Sequence, residues 1–491
     1  MLFRRLITVF WLVLPVSLWA GPVELRSEGG GVVVEGTLLS FDGEFFRVET
    51  DFGPLTLDGG HLTCDGAGCP DPNERIARAR IGGPVAMIHN LMPPLIEVFA
   101  DRQGLDFRSL FLGDDHVVWE LRNPDTGQIL AVFEGSVREE EVVLAELGDG
   151  AFDIALGRLE AEDPVRQDVI ALDAIVPLVA PDNPRAMVTQ SQLNGLLSGK
   201  IANWSGLDGE DAAVSVHVLE GARPLLRRWH RNRIVGSAVT YENAETLSDV
   251  VAADPAALGI GLYSAIGNAA PLVVGGACGL AIPATRDTIR AEDYPLTQPL
   301  FLHRIGARQP RIVRDFIAFA RSVEAQPVIA ASGFVDQAIG RIGFEVQGDR
   351  IANAVLATGD DARAVTAVRE MVGALLHRDR LTLTFRFEDG SSDLDAQSVS
   401  NLRRLSDAVN RGDFDAKTLY FIGFSDGAGA ADGNQRLSLR RARSVQKAIA
   451  AQTEGAPVAF AAEGFGEALP MACDDTAWGR QVNRRVEVWV E

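Results

Sequence analysis

The chain has 491 residues, 47% of them hydrophobic, and a formal net charge of −21. That length and apolar content suffice for two or three domains with cores of their own. The acidic excess argues against nucleic acid and against an anionic membrane surface as partners, while a small anion is selected by local donors rather than by net charge.

The opening segment reads as a secretory signal peptide over residues 1–20. Arg4 and Arg5 precede an apolar run from Leu6 to Trp19, and Ala20 supplies a small residue before a cut. About 14 apolar residues fall short of the roughly 20 that a membrane-spanning helix needs. No cysteine follows Ala20, so a lipid-modified N-terminus is not expected. No run of alternating strands suits an outer-membrane barrel. The mature chain is expected in the periplasm.

Residues 21–75 read as a small antiparallel β module. Val32 to Leu39 and Phe45 to Thr50 are β-rich around a turn at Phe41-Asp42-Gly43-Glu44, and Phe52-Gly53-Pro54 marks a second turn before Leu55 to Leu57. Cys64 and Cys69 close the module. Gly66 and Gly68 between them let the chain turn tightly, and an oxidising compartment favours a disulfide. A zinc knuckle is the rival, but two thiolates without a second nearby pair make a poor metal site. Cys278 and Cys473 read either as single buried thiols or as a bridge between domains, with single thiols preferred.

Residues 76–345 alternate helical patterns with apolar strands. Val169 to Leu172 and Ala174 to Ala180 read as buried strands, while Leu91 to Phe99 and Ile312 to Ala320 have helical spacing. The alternation predicts an α/β fold in two lobes with largely parallel sheets. Residues 346–379 form a helical linker, with a helix from Asp361 to His377 that links or braces the domains. Residues 380–491 read as strand, helix, strand, helix, strand, an α+β domain.

The C-terminal segment carries the most ordered motif: Gly423-Phe424-Ser425-Asp426, then Asn434, then Leu437-Ser438-Leu439-Arg440-Arg441-Ala442, then Asn483-Arg484-Arg485-Val486-Glu487. Asp426 leaves a strand at a glycine-rich loop, and Arg441 sits on the following helix. A carboxylate takes an ammonium, and a guanidinium takes a carboxylate through two parallel hydrogen bonds, so the pair suits a zwitterion. On charge types alone a surface Asp–Arg ion pair is the rival. The motif resembles the OmpA-like peptidoglycan-binding domain. That resemblance implies that Asp426 and Arg441 bind diaminopimelate of the peptide stem, with Asn434 and Arg485 supporting. The sequence departs from the family where Phe424 replaces a histidine and Ser425 a threonine.

The middle region resembles the phosphate-type solute-binding proteins of ABC importers, a periplasmic-binding-protein-like family of two hinged lobes. The landmarks are Gly150 to Ala155, Asp182-Asn183-Pro184, the stretch Ser198-Gly199-Lys200-Ile201-Ala202-Asn203-Trp204, Asp254 to Gly259 and Tyr294-Pro295-Leu296-Thr297. By that resemblance the ligand cleft involves Gly83, Asp153, Arg158, Gly221 and Arg223. His89 and Asn90 are further cleft candidates, with a helix-start region as the rival reading. Arg223, Arg227, Arg228 and Arg231 form a basic run whose rival reading is a solvated helix face. Family hydroxyl donors are missing: Pro84 and Ala86 stand in the first motif and Glu220 in the second. Proline and alanine offer no hydroxyl, and a glutamate repels phosphate.

Two readings follow. One is a periplasmic phosphate-like solute-binding protein held non-covalently on peptidoglycan on the outer-membrane side of a Gram-negative envelope, with an ABC importer as a possible partner. The other is a structural envelope protein whose binding-protein-like domain has lost phosphate and serves as an adaptor for a protein. No Gly-x-Ser-x-Gly, His-Glu-x-x-His or P-loop motif is present, so no enzyme, cofactor or metal is expected.

Overall fold

The computed structural model describes residues 21–491, apart from 28, 30, 71–75, 184, 186, 224, 227–233, 277, 279, 307, 389–392, 475–476 and the side chains of 477 and 478. The expected signal peptide lies outside the described residues. Among those described, no helix is long and apolar enough to cross a membrane.

Residues 22–65 form a five-stranded antiparallel sheet. The Cys64–Cys69 disulfide is formed, with Cα atoms 5.7 Å apart. The module is seated on the next domain rather than free. Arg78 donates its backbone N–H to the Asp42 carbonyl at 3.0 Å, and Glu44 accepts the backbone N–H of Arg311. Gly43, at φ 95°, lies so close to Ile76 that a side chain would collide with its carbonyl.

A single sheet runs through both lobes of the middle domain. From one edge its order is Val239–Tyr241, Ser215–Leu219, Ala257–Leu262, Arg166–Val179, Thr297–Arg304, Ile154–Gly157, Ala77–Gly83, Ile129–Val137, His116–Arg122, Asp106–Phe111. The two apolar runs read as separate strands are one strand, Arg166–Val179, with a bulge between Val169 and Ala171. No turn residue separates them; Asp173 stays in the strand because its carboxylate is fully bonded there. The sheet is mixed rather than largely parallel, because Arg166–Val179 and Thr297–Arg304 cross antiparallel between parallel groups. Each lobe has its own core: Leu95, Phe99, Trp119, Phe133 and Phe316 in the first, and Leu193, Trp204, Leu247 and Ile260 in the second.

The C-terminal sheet has the order Arg341–Ile342, Asp379–Arg386, Arg485–Val490, Thr418–Gly423, Ala459–Gly464. Helices Ala396–Asn410 and Ala431–Gln452 cover one face through Leu405, Val409, Ala442 and Val445. The segment expected to link domains covers the other face: Ala354, Val368, Met371 and Leu375 pack on Ile422, Phe424 and Trp489. Its helices Gly348–Ala357 and Ala362–Leu375 are therefore a structural layer of this domain.

Cys278 and Cys473 are bonded, with Cα atoms 5.7 Å apart. This corrects the preference for single thiols. Ile282 packing on Met471 and Val482 brings the second lobe against the C-terminal domain and sets the two sulfurs together. Ionic contacts complete the junction. Arg380 is bidentate on Asp293, Arg386 pairs with Glu292 at 2.8 Å, and Asp168 receives Arg403 at 3.0 Å.

Glu292 is 6% exposed and adopts a left-handed φ of 58°. Burial pushes its carboxyl up to about 7, against the pull of Arg386. Between the ordinary 4.5 and about 7 the folded chain therefore holds a proton that the unfolded chain has released. Stability is expected to fall as pH rises across that window and to level off above it. Urea melts of wild type and Glu292→Gln at pH 5 and pH 8 read this directly. The wild type should lose up to ~3 kcal/mol more than the variant between the two pH values.

Candidate functional site

The strand Thr418–Gly423 delivers Asp426, and the helix Ala431–Gln452 delivers Asn434 and Arg441. The helix seats tightly on this strand and on the neighbouring strand Ala459–Gly464 because Gly423 and Gly464 have no side chains. A Cβ at Gly423 would strike the Ser438 carbonyl, and one at Gly464 the Leu439 backbone nitrogen.

Asp426 accepts from Arg484 Nη1 at 3.0 Å and from the Ala428 N–H at 3.1 Å. Arg441 stands over the Phe387 ring, 5.3 Å from its centroid. Its Nη1 is buried and has no hydrogen-bond acceptor among the described residues. Burial and the neighbouring Arg484 lower the Arg441 pKa, while Asp426 raises it, so all three groups share one field. Asn434 donates to Glu467 at 3.1 Å rather than to Asp426. Asp474 accepts the Gly427 N–H at 2.6 Å and the Asn483 amide at 2.7 Å, which stiffens the loop behind Asp426. One carboxylate thus lies beside two guanidiniums, one of which has a spare donor. This arrangement can take an ammonium and a carboxylate of one ligand.

Arg485 is not in this pocket. It is fully buried, donates to Glu487 at 2.9 Å and to the Leu469 carbonyl at 2.9 Å, and stacks 4.4 Å over Phe424. The reason is strand alternation: Arg485, Glu487 and Trp489 share the face covered by the added helices, and Val486, Val488 and Val490 share the other. Arg484, just before the strand, reaches Asp426 instead. The alternation was readable in the sequence once Trp489 was placed inside. Glu467 and Asp474 carried no such signal.

The cleft candidates disperse. In a sheet of this kind the cleft lies at the carboxyl ends of the parallel strands. Gly83 is at such an end, where a Cβ would meet Leu156 at 2.8 Å. Asp153 precedes Ile154–Gly157, at the opposite end, and is clamped by Arg80 at 3.0 Å. Arg158 is at the cleft end but 2% exposed, bonded to Glu140 at 3.1 Å and Asp173 at 2.8 Å. Glu140 also takes the backbone N–H groups of Arg158 and Leu159 at 2.8 and 3.2 Å. Asp173 takes the N–H and hydroxyl of Ser264 at 3.0 and 2.9 Å. The donors that an anion would use already hold two of the chain's own carboxylates. Gly221 is exposed, and Arg223 is held by Glu220 at 3.4 Å and Thr240 at 2.6 Å. His89 bonds the Asp114 carbonyl at 2.9 Å. Arg227, Arg228 and Arg231 lie outside the described residues.

Residues 386–484 match the OmpA family. The C-terminal unit is an OmpA-family domain. The chain is 34% identical over 133 residues to outer membrane porin F of Pseudomonas aeruginosa, covering 27% of this chain and 35% of that protein. It thus spans about a third of the length of such porin relatives. It is 23% identical over 198 residues to the phosphate-binding protein PstS of Borreliella burgdorferi, covering 37% of this chain and 69% of that one. Among solved structures, a putative phosphate ABC transporter substrate-binding protein with bound phosphate from Clostridium perfringens aligns at TM-score 0.42 and 17% identity, over 53% of this chain and 99% of that chain. In this chain the OmpA-family domain thus follows a two-lobed α/β domain with a continuous mixed sheet.

The two adjacent arginines should separate cleanly. Arg485→Ala removes one of three guanidiniums that hold the buried Glu487, leaves the Leu469 carbonyl without its donor, and is expected to cost about 3 kcal/mol in chemical denaturation. Arg484→Ala should cost no more than about 1 kcal/mol.

Proposed function

We propose that this chain is a cell-envelope protein whose OmpA-family domain grips the peptide stem of peptidoglycan. Asp426 takes the ammonium of a diaminopimelate-type residue, and Arg441 takes its carboxylate, with Arg484 holding Asp426 in place. The observation that carries this reading is the spare buried donor of Arg441 beside Asp426 within the matched family segment. Co-sedimentation with purified sacculi tests it. Wild type should pellet with the wall, free diaminopimelate should compete, and Asp426→Ala with Arg441→Ala should leave the protein in the supernatant. Undiminished retention of the double variant would refute the site.

For the two-lobed domain, the pairing of both Arg158 terminal nitrogens with Glu140 and Asp173 favours a scaffold or adaptor over a phosphate carrier. Each missing charged hydrogen bond costs a phosphate about 1.5–3 kcal/mol. Phosphate titrated into the mature chain is therefore expected to leave its radius of gyration in solution scattering unchanged. Phosphate-induced compaction, the sign of lobe closure, would restore the solute-binding reading, which the similarity to phosphate-binding proteins supports.

A further inference from the structure

At the base of the first lobe, remote from the carboxyl ends of the parallel strands, lies a half-open pocket of about 290 Å³ lined by Arg166, Arg304, Arg308, Arg314 and Arg321 together with Gln309 and Ile317. Three separate elements bring these arginines together. Arg166 and Arg304 are direct cross-strand partners in the antiparallel pair, where like charges are unfavourable. Arg314 and Arg321 come from one face of the helix Arg311–Ala320 and its cap. Arg308 belongs to the connection before that helix and stands 6.0 Å over the Phe45 ring of the β module.

The cluster is only partly neutralised. Asp168 takes Arg304 at 2.9 Å and Arg321 at 2.7 Å, and also Arg403 of the OmpA-family domain. Glu44 lies 3.6 Å from Arg314. Among the described residues the exposed side chain of Arg166 makes no hydrogen bond or ion pair, and the exposed side chain of Arg308 makes only its ring contact. Five guanidiniums therefore face two carboxylates in a chain whose net charge is −21. Such a concentration of like charge is unfavourable in isolation and is relieved by a counter-anion.

We infer that this cavity binds a small, soluble anion carrying two or more phosphate groups. Guanidinium forks hold phosphate oxygens bidentately. Donors arriving from a strand pair, a connection and a helix suit oxygens that point in tetrahedral directions better than the flat edge of a carboxylate. The position matters as well: Arg308 and Arg314 of the pocket also touch Phe45 and Glu44 of the β module, and Asp168, the partner of Arg304 and Arg321, also takes Arg403 of the OmpA-family domain, so an occupant would act on side chains that contact all three parts.

Calorimetric titration of the mature chain with inorganic tripolyphosphate tests the site. Binding in roughly the micromolar range is expected, weakening as salt is raised. Arg166→Ala with Arg308→Ala should weaken it by about tenfold or more, with an unchanged circular-dichroism melt because neither side chain holds the fold. Arg308→Gln alone serves if the double variant melts early. Asp426→Ala with Arg441→Ala should bind as wild type does, which separates this site from the wall site. Absence of binding, equal binding by the arginine variants, or tighter binding of citrate than of tripolyphosphate would overturn the assignment.

Discussion

The carboxylate of Glu487 is the point on which the two large domains turn. It has no exposed surface, yet it is ionised in the folded chain. Burial alone would raise its pKa, but Arg350, Arg380 and Arg485 converge on it and hold it below the ordinary carboxylate range. Arg380 carries the network onward to Asp293 of the two-lobed domain. A buried charge is tolerated only when every partner stays in place. The central strand of the OmpA-family domain, the helix that covers it and the neighbouring lobe therefore depend on one another.

This makes the junction rigid. Here the disulfide between Cys278 and Cys473, the Arg380–Asp293 pair and the Arg386–Glu292 pair fix the second lobe against the OmpA-family domain. Asp168 does the same for the base of the first lobe through Arg403. Burial would raise the Asp168 carboxyl, but its three arginines outweigh that and hold it at about 2. Both lobes are thus attached to the same domain. Hinge closure of the kind used by two-lobed binders requires one lobe to move relative to the other, and these contacts oppose it. The cleft agrees with this, since Glu140 and Asp173 already occupy the donors around Arg158.

Much of the architecture was legible in the chain before any coordinates. The alternation of apolar strands and helices implied the α/β lobes, and the Cys64–Cys69 spacing implied a local disulfide. Contacts between segments distant in sequence were not legible. Asp173 looks like a break between two strands until Arg158 and Ser264 surround it. Helix Ala362–Leu375 looks like a linker until the Trp489 face of the sheet is found to need a cover. The arginines of the basal cavity are scattered from 166 to 321 and form no motif.

The motif from Asp426 to Glu487 shows the division most sharply. Local chemistry specified which residue types it holds and in what order: a carboxylate leaving a strand, a guanidinium on the next helix, an Arg-Arg pair ahead of the last strand. Which arginine of that pair joins the carboxylate depends on which face of the last strand is buried, and that depends on helices more than a hundred residues earlier in the chain. Periodicity and residue chemistry act over a few positions and are written in the sequence. Burial is a property of the assembled molecule, and it sent Arg485 into the core and left Arg484 to Asp426.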